Sequence, residues 1–200
     1  MALNLIGRDR RVKKTRKGVR HMADPVWLAR ILSTQVNSQD DDGVLVGNWS
    51  GDYADGKTPG TWVGSVNILQ EYARTGEPVK YGQCWVFSGV MTTLLRALGI
   101  PARSVTNFES AHDTDGTMTI DEYVATDQTD LVHFPSDDSV WNFHVWNEVW
   151  LRGTGSDINF SILEYICLQE KVAYLYYAIF LSQSMNPISN TFSDWLIMIL

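Results

Sequence analysis

The amino-acid sequence predicts an α+β fold, because one long segment has the periodicity of a helix and a later one that of a strand. Apolar residues at positions 87, 90, 91, 94, 95 and 98 have the spacing of one buried helix face. Residues 140–150 instead place apolar side chains at nearly every odd position and are rich in aromatic and β-branched types, which is typical of a strand. Two hundred residues suit one domain with a sizeable core.

The composition indicates a globular protein with an uneven distribution of charge. Eight tryptophans, eight tyrosines and seven phenylalanines are far too many for a disordered chain. Half of the 16 Lys and Arg residues fall between positions 8 and 20. The rest of the chain carries 8 basic and 22 acidic residues, a formal charge of −14. Such an acidic body repels nucleic acid and attracts cations.

Residues 1–22 are predicted to form a basic, disordered arm, since residues 8–20 are almost devoid of apolar side chains. A solvated terminus and a contact with nucleic acid, anionic lipid or import machinery both stay open for this arm. No secretory signal is visible, so we expect a cytoplasmic location. The two cysteines, Cys84 and Cys167, have neither a disulfide framework nor metal-ligand spacing and suit a reducing compartment.

Cys84 lies in the first turn of the predicted helix, which Gly99 closes and Pro101 prevents from continuing. Unpaired N–H groups and the helix dipole stabilise an anion at this end of a helix. A thiolate is therefore favoured at Cys84, as a nucleophile requires. The alternative is a small buried hydrophobic residue, which is the usual role of a free cysteine.

His144 follows Cys84 by 60 residues and lies on the strand face opposite the apolar side chains. Taken alone, such a histidine is more often structural than catalytic. A cysteine that opens a buried helix, followed by a histidine on a strand, is however the Cys–His arrangement of papain-like enzymes. The sequence thus favours a papain-like core in which the Cys84 helix packs against an antiparallel sheet that contains the His144 strand.

Four segments resemble the catalytic core of animal calcium-dependent transglutaminases in order and spacing. They are Tyr81-Gly-Gln-Cys-Trp-Val-Phe87, Leu98-Gly-Ile-Pro-Ala-Arg103, Ser110-Ala-His-Asp113 and Trp141-Asn-Phe-His-Val-Trp146. The resemblance covers residues 24–150 and predicts a partial catalytic core over residues 23–151. It implies calcium-dependent crosslinking of glutamine to lysine side chains, or to other primary amines, through a thioester on Cys84.

The resemblance also assigns roles to two tryptophans. Trp49 corresponds to the residue whose indole N–H stabilises the oxyanion of the tetrahedral intermediate. Trp141, three residues before His144, corresponds to the wall of the tunnel that leads to the thioester, where it excludes water. For Trp49, packing in the core is the alternative.

Two oxygen-rich loops match calcium sites of the family, and calcium is the expected cofactor. Calcium prefers clusters of carboxylate, amide and carbonyl oxygens. The first site would use Asn37, Asp41 and the carbonyls of Thr34 and Gln39. The second would use Asp113, Asp115, Thr117, Thr119 and Asp138, where the family has Asn and Ser in place of Thr117 and Thr119.

Beyond Leu151 the resemblance ends. The family continues with an Arg-Pro-Asp segment and a strand ending Trp-Gln-x-x-Asp, whose aspartate orients the catalytic histidine. Residues 152–200 instead form an apolar tail of uncertain structure, as in a truncated or alternatively spliced product, and their apolar runs are shorter than the ~18–20 residues of a membrane span.

Three functions remain open. The first is a transglutaminase impaired by loss of the third triad member, acting on protein substrates. The second is a catalytically weak or inactive fragment that serves as a scaffold. A cysteine protease of related fold is the third, and the calcium-like loops disfavour it. The sequence does not reveal the oligomeric state.

Overall fold

A computed structural model of the chain describes residues 1–9, 12, 24–114, 117–121, 123–127, 130–134, 138–152, 158–163 and 177–179. The helices are α1 (Ala2–Arg8), α2 (Pro25–Val36), α3 (Ser38–Asp41), α4 (Val66–Thr75) and α5 (Cys84–Ala97). The strands are β1 (Leu45–Gly47), β2 (Val79–Gly82), β3 (Ala102–His112), β4 (Tyr123–Asp127), β5 (Asp130–Phe134), β6 (Ser139–Arg152), β7 (Ile158–Leu163) and β8 (Tyr177–Ile179). A short 3₁₀ turn covers Pro59–Thr61.

The main sheet has the strand order β3-β6-β7-β8, and β7 runs antiparallel to both of its neighbours. A parallel pair, β1 with β2, and an antiparallel pair, β4 with β5, complete the strands of the described residues. The predicted α+β class is therefore confirmed, as is the predicted strand that carries His144.

The described residues fall into two compact units. The first draws on the ranges Met1–Val105 and Val145–Ser189, and the second on the range Thr106–His144. Cys84 and Trp49 belong to the first unit, whereas His144 and Trp141 belong to the second.

Helix α5 confirms the predicted buried helix. Its buried apolar side chains are Phe87, Val90, Met91, Leu94 and Leu95. The helix ends in a Schellman motif, in which the Ile100 N–H donates to the Leu95 carbonyl and the Gly99 N–H to the Arg96 carbonyl, both at 3.0 Å. Gly99 has a φ of +79°, which glycine adopts without steric cost. Local sequence signals therefore define both ends of the helix.

Polar residues precede helices α2 and α4. The Trp27 N–H donates to Asp24 Oδ1 at 3.3 Å, so Asp24 caps α2. Ser65 precedes α4, but its side chain makes no capping bond, and its hydroxyl lies 2.7 Å from the Thr93 hydroxyl of α5. A hydroxyl on the neighbouring helix is thus the partner of Ser65.

The predicted disordered arm does not extend to the first residues of the chain. Residues 2–8 form α1, which packs against α2 and α5. Ala2, Leu5 and Ile6 lie on one face and are buried, because their spacing of three and four residues matches the helix repeat. Arg8 donates to the Tyr72 hydroxyl at 3.1 Å. Residues 10, 11 and 13–23 of the predicted arm lie outside the described residues.

Parts of the apolar tail add strands to the main sheet. β7 pairs with β6 from Arg152↔Ile158 to Asn147↔Leu163, and β8 pairs with β7. Tail residues 153–157, 164–176 and 180–200 lie outside the described part of the chain. Among the helices that are described, none has the length and apolar character needed to cross a membrane.

Candidate active site

Cys84 is the first residue of α5 and is only 4% exposed. The preceding strand β2 leads directly into it through Gly82, where a Cβ atom would overlap the Leu45 side chain. Glycine is therefore required for the close approach of β2 to β1. This geometry places the Cys84 thiol at the N-terminus of a buried helix, as predicted.

Two hydrogen bonds hold the chain around Trp49 next to the chain around Cys84. The Asn48 N–H donates to the Gly82 carbonyl at 3.1 Å, and Gln83 Nε2 donates to the Asn48 carbonyl at 3.0 Å. The residue before Trp49 is thus bonded to both residues before Cys84. The sequence did not predict the contact between Gln83 and Asn48, because no local pattern marks it.

Trp49 is half-buried and packs against the edge of the hydrophobic core. Core packing was the alternative to a catalytic role, and this contact is compatible with both. Within the described part of the chain, no hydrogen bond uses the Trp49 indole N–H. That donor is therefore available to a ligand, so the oxyanion role stays a prediction that the geometry permits.

Ionic contacts surround the residues that lead into Cys84. Asp55 accepts hydrogen bonds from Lys80 Nζ at 2.6 Å and from the Tyr81 hydroxyl. The bond from Lys80, and then the bond from Tyr81, lowers the pKa of Asp55. The same bond to Asp55 raises the pKa of Tyr81, which keeps its phenol protonated. These contacts join the loop that follows β1 to strand β2.

Within the second unit, Trp141 lies between two histidine rings. Its ring stacks on His112 with centroids 4.5 Å apart and meets His144 edge-on at 5.1 Å. His144 is 8% exposed, so its imidazole is shielded from bulk water. His112 is a neighbour that sequence reasoning did not select. Cys84 belongs to the first unit, and its pairing with His144 therefore stays a prediction, as does the tunnel role of Trp141.

Asn147 is a further residue that the sequence reasoning missed. It interrupts the apolar alternation of β6, yet it is fully buried. Its Nδ2 donates to the Ser88 carbonyl at 3.1 Å and to the Thr92 hydroxyl at 2.7 Å, both on α5. Its Oδ1 has no partner among the described residues, and an unsatisfied buried polar group typically costs about 1–3 kcal/mol. The polar residue at an otherwise apolar position was the available signal.

The second predicted calcium site forms a hydrogen-bonded loop. Asp138 Oδ1 accepts from the N–H and the hydroxyl of Thr114, both at 2.7 Å, and Oδ2 accepts from the Asp121 N–H at 3.1 Å. These bonds, with the Thr114 N–H contributing most, hold the pKa of Asp138 below its usual range. The carboxylate is therefore charged at neutral pH.

Other predicted ligands lie in the same loop. Asp113 Oδ2 accepts from the Met118 N–H at 2.6 Å, and the hydroxyls of Thr117 and Thr119 are 2.8 Å apart. Thr119 also donates to Asp121, an acid that the prediction omitted. These carboxylates and hydroxyls have the donor chemistry that calcium prefers, so the residues present fit the ion. Asp115 lies outside the described residues.

The first predicted calcium site is formed by the end of α2 and the short helix α3. The carbonyl of Thr34 belongs to the last turn of α2. Asn37 Oδ1 accepts from the Gln39 N–H at 3.1 Å and caps α3. The side chain of Asp41 lies outside the described part of the chain.

Carboxylates are sparse at both predicted sites. Among the described side chains, no three from His, Cys, Asp and Glu lie close enough together to hold a metal ion. Both sites would therefore depend on hydroxyl, amide and carbonyl oxygens, with Asp41 and Asp115 as further ligands. Calcium binding stays a prediction.

Comparison with known proteins identifies the family. The model of the transglutaminase-like superfamily matches residues 52–158, which include Cys84, Trp141 and His144. The chain belongs to the transglutaminase-like superfamily. The resemblance seen in the four sequence segments is thereby confirmed, although Trp49 and the first calcium loop precede the matched residues.

Individual transglutaminases are similar over the same core. The chain is 59% identical over 129 residues to protein-glutamine gamma-glutamyltransferase K of Canis lupus familiaris, covering 64% of this chain and 16% of that protein. It is 54% identical over 136 residues to protein-glutamine gamma-glutamyltransferase E of Bos taurus, covering 66% and 19%. The chain thus spans less than a fifth of the length of these relatives.

A solved structure supports the fold assignment. The crystal structure of red sea bream transglutaminase matches with a TM-score of 0.69 and 40% sequence identity. The match covers 82% of this chain and 25% of the bream protein. The chain therefore has the fold of a part of the transglutaminase catalytic region, which confirms the predicted fold class.

Proposed function

We propose that this chain carries the acyl-transfer core of a calcium-dependent protein-glutamine gamma-glutamyltransferase. The observation that supports this most directly is Cys84 as the first residue of the buried helix α5, inside the residues that match the family. Glutamine side chains of proteins are the acyl donors, and lysine side chains or other primary amines are the acceptors.

The proposed reaction proceeds in two steps. The Cys84 thiolate attacks the carboxamide carbon of a glutamine side chain, and the C–N bond breaks as His144 protonates the leaving ammonia. A neutral amine then attacks the resulting thioester, and the C–S bond breaks to release the thiolate. The amine loses its proton to His144, and an isopeptide bond is formed. In both steps the Trp49 N–H donates to the oxyanion.

Calcium acts in this proposal as an activator that adds positive charge to the acidic loops and holds their conformation. Asp113, Asp115, Thr117, Thr119 and Asp138 would hold one ion, and Asn37, Asp41 and the carbonyls of Thr34 and Gln39 a second. No bond is made or broken on the ion.

The first test is incorporation of a fluorescent primary amine into a glutamine-containing protein by the purified 200-residue chain. We expect slow incorporation that requires millimolar calcium and disappears in Cys84→Ala, because the thioester cannot form without the thiol. Cys167→Ser is the matched control and should retain the wild-type rate. Equal incorporation by Cys84→Ala and the wild type would contradict the proposed nucleophile.

A second test concerns the loop that contains Asp138. Millimolar calcium is expected to raise the melting temperature by at least about 2 °C, since an ion bound only by the folded chain stabilises it. Asp138→Asn and Asp113→Asn should remove most of this shift. Glu109→Gln, which removes one exposed charge outside the loop, should keep it. Differential scanning fluorimetry measures the shift. A wild-type melting temperature that does not change with calcium would contradict the site.

A scaffold without turnover is the alternative function. It is favoured by the sequence after Leu151, where the family's Trp-Gln-x-x-Asp strand is absent and β7 carries no acidic residue opposite β6. Saturable binding of a glutamine-containing protein without amine incorporation would support it. Peptide cleavage without added amine would instead indicate a cysteine protease. A cytoplasmic location stays a prediction.

A further inference from the structure

We propose that Asn147 is a positioning residue of the active site, which acts through a chain of hydrogen bonds that fixes helix α5 along strand β6. The chain runs through Thr92, Ser104 and Ser88 and returns to β6 at the Trp146 carbonyl. This inference rests on the proposed nucleophilic role of Cys84, because the position of α5 determines the position of the thiol.

Polar side chains of α5 and β6 are joined by direct hydrogen bonds. Asn147 Nδ2 can only donate, and it lies 2.7 Å from the Thr92 hydroxyl. The Trp146 carbonyl can only accept, and Ser88 Oγ donates to it at 3.0 Å. Ser88 Oγ also lies 2.7 Å from Ser104 Oγ, with Ser88 as the donor, and Ser104 Oγ lies 3.2 Å from the Thr92 hydroxyl.

The chain thus connects Asn147 with Thr92, Ser104, Ser88 and the Trp146 carbonyl. The second Nδ2 proton of Asn147 goes to the Ser88 carbonyl at 3.1 Å. Asn147, Ser88 and Thr92 are buried, whereas Ser104 is exposed. Loss of the Thr92 hydroxyl would therefore leave one buried Nδ2 proton of Asn147 without its acceptor.

The hydrogen-bond chain is attached close in sequence to the two proposed catalytic residues, Cys84 and His144. Ser88 and Thr92 lie one and two helical turns after Cys84, and Asn147 lies three residues after His144 on the same strand. Apolar side chains alone allow a helix to slide along a sheet with little loss of contact, whereas directional bonds between fixed partners do not. A shift of about 1 Å in a reacting group can lower a rate by as much as 10²-fold.

A purely stabilising role would be served at least as well by an apolar side chain at position 147. Asn147 is fully buried, and its Oδ1 has no partner among the described residues. Replacing buried polar groups with apolar ones is often neutral or stabilising, and buried polar groups can instead specify one arrangement. Specification of the helix position is therefore the role that this geometry favours.

The test compares hydroxyl loss with hydroxyl retention at one position. Thr92→Val keeps the shape of the side chain and removes the hydroxyl, whereas Thr92→Ser keeps the hydroxyl. Thr93→Val is the matched control, because Thr93 is next in the helix and its hydroxyl bonds Gly89 and Ser65 outside the chain. All variants are made in the Cys167→Ser protein, so that iodoacetamide reports on Cys84 alone. Circular dichroism confirms that each variant is folded at the assay temperature.

The measured quantity is the second-order rate of Cys84 alkylation between pH 5 and 10. We expect Thr92→Val to lower the rate at neutral pH by at least roughly fivefold, since a displaced thiol is no longer held in its reactive position. Thr92→Ser should stay within about twofold of the parent protein. Asn147→Leu should repeat the effect of Thr92→Val, with an unchanged or higher melting temperature.

Two outcomes would overturn the positioning role. In the first, Cys84 is alkylated at the same rates in Thr92→Val as in Thr93→Val across the pH range. In the second, Thr92→Ser does not keep the alkylation rates of the parent protein. If Asn147→Leu does not fold, the comparison of the Thr92 variants decides alone. Failure of the proposed function gives a different result from failure of the positioning role. If Cys84 is not the nucleophile, the parent protein is alkylated at neutral pH no faster than a thiol in an unstructured peptide. The ratio of the alkylation rates of Thr92→Val and Thr93→Val tests the positioning role whether or not Cys84 is the nucleophile.

Discussion

Replacing residues 152–200 with the Arg-Pro-Asp and Trp-Gln-x-x-Asp continuation of the family is expected to raise amine incorporation by at least roughly 10²-fold. In a triad the third group fixes the imidazole tautomer and stabilises the imidazolium, and replacing it by asparagine in the serine-protease example lowers kcat by ~10⁴. The effect should be smaller for a cysteine, because a thiol is intrinsically a stronger nucleophile than a serine hydroxyl. The measurement is the initial rate of amine incorporation at saturating calcium.

The control for this replacement is the same hybrid chain with asparagine in place of the introduced aspartate. It should fold with the same melting temperature and return to the rate of the original chain. A native chain that already works at the rate of the hybrid would mean that another residue orients His144. Equal gains with aspartate and asparagine would mean that the new strand acts by completing the sheet beside β6.

Trp49→Phe is expected to lower kcat for amine incorporation by ~10²–10³ while KM stays nearly unchanged, because loss of one oxyanion donor has this effect. Phenylalanine keeps most of the apolar contact of Trp49 with the core and removes the N–H. The hydrogen bonds that join Asn48 to Gly82 and Gln83 do not involve the side chain at position 49 and should persist. The kinetics are best measured in the hybrid chain, where the rate is high enough to follow a large decrease.

Trp27→Phe is the matched control for this substitution, since Trp27 also packs at the edge of the core but lies in α2. Trp27→Phe should leave kcat within about twofold of the parent value and change only the melting temperature. If Trp49→Phe behaves in the same way, Trp49 is a core residue, as the alternative interpretation of the sequence held.

Local sequence signals determined the elements that carry the proposed chemistry. The position of Cys84 at the start of α5 follows from the spacing of apolar residues and from Gly99 at the other end. These signals act within a few residues of one another, so neighbouring side chains suffice to specify the helix. The strand of His144 and the family were readable for the same reason, because both depend on short contiguous patterns.

The tertiary structure alone decided which distant side chains meet. Nothing near Asn147 in the sequence predicts that its amide reaches Ser88 and Thr92, since that contact spans more than fifty residues. The hydroxyl of Ser65 likewise bonds Thr93 of α5 and does not cap α4, the helix that it precedes.

The formation of the N-terminal helix α1 also depends on tertiary contacts. Leu5 and Ile6 form a face too short to stabilise a helix by itself, and contact with α2 and α5 buries it. The sequence by itself therefore determined the family and the elements that carry Cys84 and His144. The partners of buried polar groups and of marginal segments were decided only by packing, because such groups take whichever complementary neighbour the fold brings within reach.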